Sequence, residues 1–129
     1  MVVVAYKFRV GSGLRYKFRR NVAVAWVPGW AEKTGAKNDF VAFANIPRGL
    51  HSEELIIQKL EEKGFNKNQI KELYSERSPC EAICSPLMAG IPVTYSTPDG
   101  PGSAQMIKYM LDMFERGKFA RSTQLSLSE

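Results

Sequence analysis

The chain has 129 residues, a formal net charge of +5, 44% hydrophobic and 24% charged side chains, which suits one domain with a real core and excludes two ordinary domains, a disordered chain or a fibrous one. Residues 1–129 are therefore read as a single domain. Its longest apolar runs, 22–27 and 40–46, fall far below the ~18 residues of a membrane-spanning helix, and the order of a secretory signal is missing from the first residues, so neither membrane association nor a targeting segment is expected.

In chain order, residues 2–9 and 14–19 are rich in Val, Tyr and Phe with Gly11-Ser12-Gly13 between them, which reads as a β-hairpin. Residues 22–27 form a strand closed by Pro28-Gly29, residues 30–39 a loop, and residues 40–46 a further strand. The pattern then changes to helical spacing: Leu50, Ile56, Ile57 and Leu60 predict a helix over 50–63 that Gly64 stops. Residues 70–75 read as a short strand leading to Pro79. Beyond Cys80 a short or broken helix is expected, with Ser85 as its cap and Pro86 in its first position. Residues 91–97 make another strand and 98–102 a turn. Residues 103–117 form an amphipathic helix whose stripe is Ile107, Met110, Leu111 and Phe114, and Gln124–Leu127 reads as an edge strand. An antiparallel beginning followed by alternating strands and helices predicts a three-layer α/β/α sandwich with a mixed central sheet.

Three observations converge on one site. His51-Ser52-Glu53 opens the helix, Pro79-Cys80 closes a strand, and Cys84 follows four residues later. A disulfide between Cys80 and Cys84 would close too small a loop to stabilise much, whereas two thiolates and an imidazole are a catalytic zinc set with a fourth position open to water. Zinc brings the pKa of such a water toward neutrality, and Glu53 is placed to move its protons. The alternatives are a capping or surface imidazole at His51 and a buried, inert pair of thiols.

With these residues in place the chain resembles the cytidine deaminase superfamily, whose signature is H-x-E followed by P-C-x-x-C. The likeness spans about residues 40–100, and Leu73-Tyr74-Ser75-Glu76-Arg77-Ser78-Pro79-Cys80 is similar to the deaminase domains of bacterial polymorphic toxins. Here three residues, not two, separate the cysteines. The resemblance implies the deaminase α/β/α fold, Zn2+ held by His51, Cys80 and Cys84, Glu53 rather than Glu54 as acid/base, and release of ammonia. It also implies that Asn45 bonds the sugar, that Trp30 or Trp26 borders the pocket mouth, that Ser75 and Ser78 lie near the base, and that Arg77 and Arg48 hold phosphates. For the toxin branch it implies a monomer delivered within a larger secreted protein, active in the target cytoplasm and covered by an immunity protein.

The basic residues of 7–20 and 108–121 favour a polyanionic partner. The reading is thus conversion of cytosine to uracil in nucleic acid, DNA in preference to RNA. A free nucleoside or nucleotide deaminase and a catalytically silent, zinc-stabilised nucleic-acid-binding module stand as alternatives.

Overall fold

A segment reading Val22-Ala23-Val24-Ala25 has no polar face to offer water, so it belongs in the middle of a sheet. In the computed structural model, which describes residues 1–117 in full and 118–128 by their backbone, this segment forms the fully buried first four residues of β1 (Val22–Trp26). The remaining elements are α1 (Val2–Gly11), α2 (Trp30–Thr34), β2 (Phe40–Ala44), α3 (Ser52–Glu62), β3 (Glu72–Arg77), α4 (Cys84–Leu87), β4 (Val93–Thr97) and α5 (Ser103–Ser128). The 4-stranded sheet runs β2-β1-β3-β4. β1 is antiparallel to both neighbours, and β3 pairs in parallel with β4, so the sheet is mixed as expected.

Alternation along β1 divides the core between two faces. Ala23, Ala25 and Val27 meet Ile56, Ile57 and Leu60 of α3, together with Trp30 and Phe65. Val22 and Val24 meet Ala5, Val4 and Phe8 of α1 with Tyr74. On that second face Tyr6 stacks on Phe114 of α5 with centroids 4.4 Å apart, and Ile107 and Leu111 are buried. Helices thus cover both faces, which is the three-layer α/β/α sandwich predicted.

Four local expectations are corrected. Residues 2–11 are a helix, not the first strand of a hairpin. Met1, Val4, Ala5 and Phe8 recur at helical spacing, and burial of that stripe on the sheet outweighs the β propensity of the valines. Gly11-Ser12-Gly13 is the stop of that helix: Gly13 takes φ 74°, its N–H reaches Val10 O at 3.1 Å, and Leu14 N–H reaches Arg9 O at 2.9 Å, a Schellman cap. Residues 14–19 follow as irregular chain. The loop over 30–39 contains α2, held between left-handed Gly29 and Gly35, with Asp39 Oδ1 accepting from Ala31 N–H at 2.8 Å. α4 begins at Cys84 with Ile83 as its cap residue rather than Ser85, and Pro86 falls in the first turn, where an N–H has no helical acceptor anyway. Gln124–Leu127 lies within α5, because no proline interrupts residues 118–128.

Candidate metal centre and catalytic cleft

The turn Pro47-Arg48-Gly49 redirects the chain from β2 into α3, closed by Ile46 N–H to Leu50 O at 2.9 Å. It leaves His51, in extended conformation, as the N-terminal cap residue of α3. The two carboxylates that follow take different work. Glu54 Oε1 accepts from His51 N–H at 3.0 Å and closes the helix start. Glu53, one position earlier, is turned into the protein and is 3% exposed.

His51 Nδ1 faces both sulfurs, Cys84 Sγ at 3.0 Å and Cys80 Sγ at 3.5 Å. The widened cysteine spacing is absorbed by a broad turn: Ser85 N–H reaches back five residues to Cys80 O at 2.8 Å, and Cys84 N–H donates to Cys80 Sγ at 3.3 Å. All three ligand atoms lie within 4.8 Å of one another. A tetrahedral zinc set with Zn–S ~2.3 Å and Zn–N ~2.0 Å spaces its ligands about 3.5–3.8 Å apart. Chemistry agrees with geometry, because Glu53 has no salt bridge among the described residues. Burial, Glu53 and Cys80 together push the Cys84 thiol well above its ordinary range. A carboxylate and two thiols gathered without a cation are what a divalent ion would satisfy. The donor set fits a metal ion, held by His51, Cys80 and Cys84.

Glu53, His51 and Cys80 line a cleft of about 480 Å³, with Cys84 fully buried outside its lining. Its back wall is organised by Asn21, which the sequence reading missed. The side-chain amide of Asn21 donates to Ser52 Oγ at 2.8 Å and to Ser75 Oγ at 2.9 Å, and lies 3.5 Å from Glu53 Oε1. Its Oδ1 accepts from Arg77 N–H at 2.9 Å, and its own N–H donates to Asn45 Oδ1 at 2.6 Å. Ser52 Oγ also hydrogen-bonds Glu53 Oε1. A polar residue standing just before a fully apolar strand must find partners, and that is the one signal the sequence offers for Asn21.

Asn45 and Ser78 line the cleft. The carbonyl side of the Asn45 amide is used by Asn21, while its NH2 group has no partner among the described residues. Ser78 Oγ accepts from Asp99 N–H at 2.8 Å. Arg77 also lines the cleft, yet its guanidinium is turned inward, donating to Ser103 Oγ at 2.8 Å, Arg20 O at 2.9 Å and Phe18 O. Burial lowers its pKa from the ordinary value. Ser75 lies behind the wall, fully buried under Asn21. Trp30 and Trp26 are not brought to the cleft, because β1 enters the sheet beside the triad and leaves at the other end. There Trp30 packs on Phe65 at 5.2 Å, and Lys71 Nζ sits 4.6 Å over the ring of Trp26. Arg48 is exposed at φ 60° and lies outside the cleft lining. Arg19, Asp99 and Ser103 line the cleft without having been singled out from the sequence.

A mixed α/β/α sandwich carrying a His/Cys/Cys cluster able to hold a metal, with a buried carboxylate two residues from the histidine, defines a deaminase domain of the metal-binding type. The family model described as Xanthomonas-like deaminase matches residues 19–115, and the chain belongs to that family. No curated protein and no solved structure matches the chain.

Proposed function

We propose that this protein is a zinc-dependent hydrolytic deaminase that converts cytosine to uracil in nucleic acid, DNA in preference to RNA, as the toxic domain of a bacterial effector. The observation that carries the reading is Glu53, buried in the cleft beside three metal-ligand side chains in a member of a deaminase family. Zinc, when bound, supplies an activated water.

Glu53 takes the proton from that water and returns it to the ring nitrogen of cytosine, and then carries a second proton to the departing amine. Water and cytosine are consumed, and uracil and ammonia are formed. Ser52 and Asn21 hold the Glu53 carboxyl in the cleft, so the proton moves along a fixed path. Asn45 offers its free NH2 group to an acceptor on the sugar. Because the target base must leave any stack to enter the cleft, an unpaired or extruded base is the substrate form. The toxic setting brings with it a protein inhibitor that covers this cleft in the producing cell.

Incubation with single- and double-stranded DNA and RNA, followed by ammonia measurement and sequencing, tests the reading. Conversion of C to T in the sequenced product is expected with the wild type and not with Glu53→Ala. Deamination of free cytidine alone would favour a nucleoside enzyme, and the absence of any ammonia from the zinc-loaded protein would overturn the catalytic assignment.

A further inference from the structure

Residues 12–21 join α1 to β1 as irregular chain, yet two buried guanidiniums hold them in place. Arg9 donates to Leu14 O at 2.8 Å, Lys17 O at 3.0 Å and Arg20 O at 2.7 Å, and is itself anchored by Glu76 at 2.9 Å. Arg77 adds bonds to Arg20 O and Phe18 O. With these carbonyls turned inward, Tyr16, Lys17 and Arg19 are left exposed, Tyr16 at 75%. Buried ion pairs contribute little net stability compared with apolar packing. Their consequence here is a backbone fixed in one shape with its side chains displayed.

What they display is a groove of about 570 Å³. Arg19 and Ala104 line both this groove and the catalytic cleft, so the two adjoin. Its lining is basic and aromatic, with no acidic side chain among the described residues. The nearby acids of α5 are committed to Arg15, which bonds Asp112 at 2.8 Å and Glu115 at 2.5 Å while its guanidinium sits 4.7 Å over the Tyr16 ring. The side chains of Lys17 and Arg19 have no ion pair or hydrogen bond among the described residues. Unpaired cations beside an exposed, steadied aromatic ring are the components by which proteins track an unpaired strand, with phosphate attraction along the backbone and stacking on one base.

We propose that the groove lined by Tyr16, Lys17, Phe18, Arg19, Arg20 and Pro47 binds single-stranded polynucleotide flanking the reacting base, with Lys17 and Arg19 on phosphates and Tyr16 under a neighbouring base. The link to a reacting base rests on the nucleic-acid deaminase reading above. A second groove of about 570 Å³ beside a cleft of about 480 Å³ offers the flanking nucleotides of a polymer a surface that a free nucleoside would not need.

The test separates binding from chemistry. Fluorescence anisotropy with a labelled oligothymidylate of about 12 nucleotides, within the usual site size of such grooves, reads the groove without a base that can be deaminated. Lys17→Ala with Arg19→Ala should weaken binding about tenfold and flatten the slope of log K against log salt by about 1.4, roughly 0.7 for each lost phosphate contact. Tyr16→Ala should weaken binding severalfold with the slope unchanged. Lys37→Ala with Lys63→Ala, which removes the same charge at the other end of the sheet, should change it less than twofold. The proposal fails if the wild type does not bind, if the Lys17/Arg19 variant binds like the Lys37/Lys63 variant, or if blunt duplex competes as well as single strand. Ammonia release from cytosine-containing DNA and RNA oligonucleotides is measured in parallel. A groove effect without ammonia from any oligonucleotide keeps this proposal and removes the deaminase reading, whereas ammonia release with undisturbed binding does the reverse.

Discussion

Two carboxylates lie at nearly the same depth and are surrounded in opposite ways. Glu76, 1% exposed, receives both its guanidinium bonds from Arg9 and the N–H of Val22 at 2.9 Å. Glu53, 3% exposed, meets only hydroxyl, amide and thiol groups and has no salt bridge among the described residues. A buried carboxylate with a paired cation is electrostatically complete and serves the scaffold, where it fixes α1 to β3. One without a cation is incomplete, and the three side chains beside it could hold a metal ion that supplies the positive charge. The difference separates a carboxylate that holds the scaffold from one left beside a candidate metal cluster.

The sharpest way to break this contrast is to remove the ligands. His51→Ala or Cys84→Ala should abolish deamination and lower bound zinc, measured by elemental analysis, from about one equivalent to almost none; a variant that kept both would refute the triad. Next in size, Glu53→Gln should slow turnover by a factor on the order of 10²–10⁴ with zinc content unchanged. In metal-free protein the same substitution should leave the denaturant midpoint no lower than that of the wild type, since it removes an uncompensated charge.

Glu76→Gln or Arg9→Met should behave in the opposite sense, losing about 3–5 kcal/mol of stability in urea titration while zinc still binds the folded fraction. Equal stability effects at Glu53 and Glu76 would erase the distinction. Adding zinc at ~100-fold its dissociation constant should raise the unfolding free energy by about 2.7 kcal/mol, an increment that His51→Ala abolishes and Glu76→Gln retains. The smallest effect is expected at Asn21→Ala, about 1–3 kcal/mol. It should be accompanied by a partial loss of turnover, since Ser52 and Ser75 lose their shared donor.

The two halves of the candidate metal cluster were legible because each is encoded at short range. His51 and Glu53 are two residues apart at a helix start, and Cys80 and Cys84 share one turn after a strand. Even the extra residue between the cysteines, visible as an irregularity, needed only a five-residue turn to accommodate it. Trp30 shows the opposite case. Its aromatic face carries no mark of which end of β1 it lies beside, and only the sheet sends it to the core with Phe65. Arg77 read equally well as a phosphate contact, but its direction is set by carbonyls of residues 18 and 20, more than fifty positions away.

By itself, then, the sequence determined the α/β class, the central strand and helix α3, and it named His51, Cys80 and Cys84 as candidate ligands with Glu53 beside them. For the strand and the helix the periodicity of neighbouring residues already dictates the geometry, whereas the meeting of His51 with the cysteines is what the family resemblance implied. Tertiary structure alone decided that residues 2–11 are helix, that Arg9 pairs with Glu76, that Asn21 organises the cleft wall, and that residues 16–20 are displayed beside the cleft. Those outcomes depend on burial against partners distant in sequence, and burial overrides local preference wherever a polar group must be satisfied or an apolar stripe covered.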